Sequence, residues 1–467
     1  MRLVAIPVVF LLGSFASRAL LAHHPSSIAV DLAQPLPVAT TWHAYGILTW
    51  VVLVATIAVA AIPYALVLRQ DAPPVRTTVL VSAAAMIAGF FYTPLFSSDV
   101  YAYAAFGEMM RLGLDAYRLT LLPHGNALFD AAIWQWHNPL PLCVYGEAFV
   151  ALSRMLIGLA APFGVVAQLN ILRITACVAL AASIPLTYAA LDGDPSRRRF
   201  AAAFVGLNPV AIWSAVEGHN DTIMLAIVLA GFALLRRRNG LLGACVVALG
   251  ALVKVPALLA AGGLAINAIV KQKASVRTLS GLAAGIVLVA LLSIPWAKGV
   301  QHGVLPHGVY EPLASPQGFI VSLARLAVPN DALAGIVASI IGITGIIILA
   351  VMGFRRLRDR GADAWCYFAL AAWIAIPNPY PWYTVWIIPL GAVARDARLR
   401  AAILAVAFTS FMRYLPDAVD IPGPALNLAL SAVTLLPYGF LIPPKRAKTG
   451  RRTYASSASS SSIKTEI

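Results

Sequence analysis

Apolar runs of about 20 residues, each long enough to cross roughly 30 Å of hydrocarbon as a helix, recur from Leu3 to Ile442. Lipid offers no hydrogen bonds to a bare backbone, so a chain of this kind is confined to helices or a closed barrel, and runs of this length suit helices. About 12 to 14 such runs can be drawn. Hydrophobic residues make up 60% of the 467, charged residues 11%, and the mean hydropathy is +0.82. Soluble domains carry about 25% charged residues. The expected fold is therefore an all-α polytopic integral membrane protein, with one membrane domain over 1–442 and a basic, serine-rich cytoplasmic tail over 443–467 that lacks the apolar residues for a core.

The net charge of +15 does not point to nucleic acid, because the Lys and Arg residues fall in short clusters beside apolar runs. That is the pattern of cytoplasmic loops. Arg69 and Arg76, Arg197-Arg198-Arg199, Arg236-Arg237-Arg238 and Arg355-Arg356-Leu357-Arg358 are such clusters. The four cysteines, Cys143, Cys177, Cys245 and Cys366, are widely spaced and read as packing residues. Leu3 to Ala22 follows Arg2 and can be read as a signal peptide or as a first spanning helix; its length suits the span.

Counting runs from there places a long polar excursion, Phe96 to Gly146, on the external side (external loop 97–142), with Asp99 near its start. An acid at the mouth of a membrane segment is costly without a partner or a task. Within the excursion, Val100 to Leu114 has helical apolar spacing and is expected to lie along the interface, as are the aromatic Trp134 and Trp136. Glu108, Asp115 and Asp130 are expected to be solvated. Leu142 to Ala161 and Val165 to Leu191 cannot both be full spans if Arg197-Arg198-Arg199 is cytoplasmic, and a re-entrant or interfacial first run is the favoured solution.

Three further features carry chemistry. Glu217-Gly218-His219-Asn220-Asp221 sets four polar side chains between apolar runs, either as a capped turn or as ligands for a substrate or a divalent cation. Lys254, beside Pro256, sits in a run too long for one straight helix, which is expected to break there; the lysine calls for a negative partner, an internal carboxylate or a lipid phosphate. Arg173, Arg325 and Arg413 raise the same question. Pro377 to Tyr383 reads as a break between helices at a surface. His23, His24, His302 and His307 have no ligand spacing. A Walker loop, a dinucleotide fingerprint and a Gly-x-Ser-x-Gly elbow are all missing, which disfavours nucleotide-dependent chemistry.

In order, Ser98-Asp99-Val100-Tyr101-Ala102-Tyr103, Tyr145-Gly146, Leu207-Asn208-Pro209, Gly218-His219-Asn220-Asp221, Lys254-Val255-Pro256 and Trp382-Tyr383-Thr384-Val385-Trp386 with Pro389-Leu390 resemble the GT-C superfamily of polytopic glycosyltransferases. Within it they are most similar to bacterial polyprenol-phosphate-mannose-dependent α(1→6)-mannosyltransferases. The likeness runs from about Phe91 to Leu390. It implies a GT-C-type bundle with a large first external loop in the cytoplasmic (inner) membrane, its site facing the periplasm or outside. The implied reaction is inverting transfer of a sugar, with mannose expected, from a polyprenyl-phosphate donor to a glycan or lipid acceptor.

By this resemblance Asp99 is the catalytic base. Tyr101, Tyr103, Trp134 and Trp382 are expected to offer stacking surfaces; Tyr145, Glu217 and Tyr383 to touch substrate; and His219, Asn220 and Asp221 to hold the donor sugar or an optional divalent cation. Lys254 with one or more arginines, Arg325 among them, would face the phosphate. Where the family often has Tyr-Gly-Pro, this chain has Tyr145-Gly146-Glu147, so Glu147 becomes a candidate second carboxylate. The competing function is a transporter or flippase for lipid-linked sugars, which also needs intramembrane charge and broken helices.

Overall fold

The computed structural model describes residues 2–22, 42–91, 97, 99–136, 138–270, 275–294, 312–419, 421 and 423–442. The tail 443–467 and the four histidines His23, His24, His302 and His307 lie outside them. The protein is an all-α polytopic membrane protein. Among the described residues four helices are long and apolar enough to cross a bilayer, or five if the bent pair Pro195–Gly206 and Pro209–Val216 counts as one span. They are α1 (Arg2–Ala22), α2 (Trp42–Leu68), α7 (Val165–Ala190) and the helix Asp331–Leu357. Shorter apolar helices fill out the bundle, among them α3 (Val75–Gly89) and α13 (Val276–Leu292).

The bent pair shows how local sequence makes a break. Asp194 caps α8 (Pro195–Gly206) and Asn208 caps α9 (Pro209–Val216), each accepting backbone N–H groups ahead of a proline at the first helical position. The two helices meet at 48°. α10 (Asp221–Arg236) then runs back antiparallel, and α11 (Gly240–Leu249) gives way to a 3-10 turn, Gly250–Leu252, before α12 (Ala257–Val270). The break expected near Lys254 and Pro256 falls in that gap.

The excursion shares a core with α7, α10 and the turn at 251–253. α4 (Asp99–Arg111), α5 (Ala127–Trp136) and α6 (Glu147–Ala160) close around Tyr103, Phe106, Phe129, Tyr145 and Phe149. α4 does not lie along the interface as its spacing suggests: every residue from Asp99 to Met109 is buried. Its alanines and Gly107 leave room for α6 to pack directly against it, with the Ser153 backbone within 3 Å of where a side chain at 107 would stand. Glu108 is likewise buried, not solvated, because Arg111 one turn on and Asn126 satisfy both its oxygens. Asp115 and Asp130 do keep substantial exposure.

α6 has 14 residues, about 21 Å of helix, which is too short to cross. α3 and α7 meet at one end of the bundle, where the Arg173 guanidinium on α7 donates to Val216 O at 2.7 Å and to Phe90 O at 3.3 Å. Arg236 meets Asp192 at the opposite end, and Arg197 donates there to Val393 O. The whole stretch between α3 and α7 therefore begins and finishes at the first end. This leaves Arg197-Arg198-Arg199 and Arg236-Arg237-Arg238 together at the other, as the re-entrant reading of 142–161 requires.

Candidate active site

The break at Lys254, the turn after α9 and the start of α4 converge. Gly218 has φ 88, in the left-handed region, and a side chain there would press on Arg173 and Val100. The reversal it permits turns His219, Asn220 and Asp221 inward, all three fully buried. Gly146 is required for a different reason: its backbone N–H donates to Val253 O, and a Cβ would stand 2.2 Å from Leu252 O. The excursion is thereby seated directly on the turn that carries Lys254.

Asp99 opens α4. Tyr103, one turn on, donates its hydroxyl to Asp99 Oδ2 at 3.1 Å, and Tyr145 approaches the same oxygen at 3.5 Å. Tyr103 also stands 3.4 Å from Asn220 Oδ1. His219 Nδ1 lies 3.4 Å from Asp99 Oδ2, and its ring stacks on Trp382 with centroids 3.9 Å apart. Burial alone would raise the Asp99 carboxyl, but His219, Lys254 and Tyr103 outweigh it and hold the group below the ordinary carboxylate range. Burial pushes His219 down, against the pull of Asp99.

Lys254 Nζ donates to both oxygens of Asp221 at 2.9 Å, and Trp386 Nε1 donates to Asp221 Oδ1. The ammonium also faces the rings of Tyr383, Trp386 and Tyr145 at 5.0 to 5.7 Å, a cage that stabilises a cation. Of the two readings of the lysine's partner, the internal carboxylate is present. The two acids also differ in exposure: the Asp221 side chain is 0% exposed and that of Asp99 10%. Lys254, at 11%, borders a cleft of about 450 Å³ with Val144, Pro256, Tyr383 and Trp386.

Other residues singled out by sequence fall elsewhere. Tyr101 is buried on α4. Glu147 is half-buried beside Tyr117, away from Asp99; burial raises its carboxyl and Tyr117 opposes the rise. Arg325 stands exposed on the helix Pro316–Ala327, outside the cluster. Arg173 holds backbone, as above, and Arg413 donates to Tyr380 Oη at 3.0 Å. Trp382 is not a surface aromatic: it is 4% exposed, stacked on His219 and on Tyr380, and has no open face for a sugar. The Trp134 side chain lies outside the described residues. Glu217 is 1% exposed with neither oxygen hydrogen-bonded among the described residues. Burial pushes it up to about 8, against Arg173 and with help from Asp99.

Trp386 is the site residue that sequence reading passed over. Its signal was there: residues 381–386 form a 3-10 helix, whose period of three places Tyr383 and Trp386 on one face, stacked at 4.8 Å. Among the described residues no three His, Cys, Asp or Glu side chains are grouped to hold a metal ion.

The alpha-(1->6)-mannopyranosyltransferase family, N-terminal domain, matches residues 4–270. The chain belongs to this family. The matched stretch contains Asp99, Tyr145, His219, Asp221 and Lys254, whereas Trp382, Tyr383 and Trp386 lie beyond it. The chain is 27% identical over 346 residues to alpha-(1->6)-mannopyranosyltransferase A of Mycobacterium tuberculosis, covering 67% of this chain and 64% of that one. It is 28% identical over 370 residues to a probable alpha-(1->6)-mannopyranosyltransferase of Mycolicibacterium smegmatis, with the same coverage. With alpha-(1->6)-mannopyranosyltransferase A of Corynebacterium glutamicum the identity is 25% over 337 residues, covering 64% of this chain and 67% of that one. The match thus spans a little under two thirds of the first two relatives. No solved structure matches the chain.

Proposed function

We propose that the protein is an inverting mannosyltransferase that takes its sugar from a polyprenyl-phosphate donor and works at the membrane face opposite the basic clusters. The observation that carries this reading is the division of labour between two carboxylates: Asp221 is closed off and bound to Lys254, while Asp99 faces hydroxyls and an imidazole and keeps a little exposure. Family membership supplies the sugar class. The gathering of arginines at the far end supports an external site by the positive-inside rule.

In this reading the Asp99 carboxylate takes the proton of an acceptor hydroxyl as that oxygen attacks the anomeric carbon. The bond from that carbon to the phosphate oxygen breaks with its electron pair, polyprenyl phosphate departs from the opposite face, and the configuration inverts. Lys254 has three N–H donors. Two are aimed at Asp221, and the third is available to a phosphate oxygen at the cleft, where charge develops in the transition state. Tyr103 and Tyr145 fix the direction of the Asp99 carboxylate, with His219 beside it. Trp382 supports His219 rather than the substrate.

The full chain in proteoliposomes, given a panel of labelled polyprenyl-phosphate sugars and a glycan acceptor, tests this. Release of polyprenyl phosphate from the mannose-bearing donor, with label passing to the acceptor, is expected. Intact donor moving between leaflets with no label transferred would replace the enzyme by a transporter.

A further inference from the structure

A second cavity, of about 640 Å³, runs from Tyr383 and Trp386 toward the basic end between α10, α12 and the helix Gly361–Ala375. Its wall follows that last helix from Gly361 to Ile376, about 22 Å of rise. One leaflet of hydrocarbon is about 15 Å deep. The body of the cavity is apolar, with Phe232, Leu264, Trp365 and Phe368 among its walls. Its lower mouth is not: Arg197, Arg360 and Arg395 arrive there from three separate segments, with Asp359 and Asp363. Arginines at a cytoplasmic end are ordinary. Their convergence on the mouth of one hydrocarbon-lined cavity is not explained by that rule.

Asp363 adds an independent feature. It is 1% exposed, and its Oδ1 accepts the backbone N–H groups of Arg395 at 2.7 Å and Asp396 at 3.2 Å. Its Oδ2 has no hydrogen-bond partner among the described residues. A buried acceptor left unmade is costly, and in a cavity bordered by guanidinium groups it calls for a donor that the occupant brings. An occupant with an apolar chain, a negative charge and a hydroxyl satisfies the wall, the arginines and Asp363 together.

We propose that this cavity binds one anionic phospholipid with a hydroxylated headgroup, for which phosphatidylglycerol is the representative, entering from the leaflet at the basic end. Its phosphate meets Arg197, Arg360 and Arg395, a headgroup hydroxyl donates to Asp363 Oδ2, and one acyl chain fills the space below Tyr383 and Trp386. The cavity shares Tyr383 and Trp386 with the cleft at Lys254, but its charged mouth lies at the other end, and the proposal does not depend on the donor assignment.

Photoactivatable phosphatidylglycerol, phosphatidic acid and phosphatidylcholine, each in nanodiscs with the full chain, provide the test, with labelled peptides mapped. Phosphatidylglycerol is expected to label 224–232, 257–267 and 361–376 about tenfold more than phosphatidylcholine, and Arg360→Gln with Arg395→Gln to remove most of that preference. Asp363→Asn should abolish the preference over phosphatidic acid while labelling by both persists. Ala260→Trp, which fills the cavity, should abolish labelling. Equal labelling by phosphatidylglycerol and phosphatidylcholine overturns the proposal. So does labelling of the wild type that excess unlabelled phosphatidylglycerol fails to compete away, a readout that needs no variant to fold. Displacement by polyprenyl phosphate alone would give the cavity to the donor's tail and also overturn it.

Discussion

The two ends of the bundle each hold a cation against an aspartate, in opposite surroundings. At the basic end Arg236 pairs with an Asp192 whose side chain is 91% exposed, and water screens the pair. At the other end Lys254 and Asp221 are held at the same kind of distance with almost no water, among three aromatic rings. A charge pair in water contributes little, whereas one partner of a buried pair cannot be removed cheaply. The contrast teaches that distance alone does not rank these pairs; desolvation does.

Removing the buried cation is the severest way to break the comparison. Lys254→Met leaves Asp221 as an unpaired buried charge and is expected to destabilise by about 3–5 kcal/mol, read as a fall in the thermal midpoint in detergent or nanodiscs. Adding Asp221→Asn should recover most of the stability but not sugar transfer. A single variant as stable as wild type would mean that water reaches the pair. Next in size, Asp99→Asn keeps the shape of the acid but cannot accept a proton. Transfer should slow at least about a hundredfold with the midpoint maintained; equal turnover would remove Asp99 as the base.

Glu217 sharpens the comparison through pH. Its value of about 8 lies above that of a free carboxylate, so between the ordinary range and about 8 the folded protein holds a proton that the unfolded chain has released. Stability from this group is full at low pH and is lost as pH rises through that window. Glu217→Gln should flatten the decline, with a midpoint close to wild type at about pH 5 and above it at about pH 9. A wild-type midpoint independent of pH across that range would show Glu217 to be ionised and compensated. The smallest effect belongs to the exposed end: Arg236→Gln should leave the midpoint unchanged within the scatter of repeated scans.

Sequence reading found the acid at the head of the excursion, the break at Pro256 and the 217–221 turn because each violates a strong local expectation, a charge or a proline in an apolar run. It also reached the fold class, since hydropathy is a property of each segment alone. What it could not see depends on distant partners. Asp221 and Lys254 stand 33 positions apart on different helices, so the lysine's partner stayed open between carboxylate and phosphate. α4 reads as half-polar because alanine and glycine carry no periodic signal, yet those small residues are what let α6 cover it. Trp382 looked like a surface anchor because prolines surround it; the rings that bury it come from residues 219, 380 and 414. The Glu108 to Arg111 pair, three apart on one helix, was legible and was passed over.

The seat of Gly146 on Leu252 has a consequence for how the protein is made. The excursion leaves the ribosome about a hundred residues before the turn it rests on, an interval on the order of 10 s at typical elongation rates. During that wait Asp99, Tyr103 and Tyr145 have neither the lysine nor the 219–221 turn against them, so they must stay hydrated. The two sides of the cluster are thus synthesised apart, and their contact waits for the turn that carries Lys254.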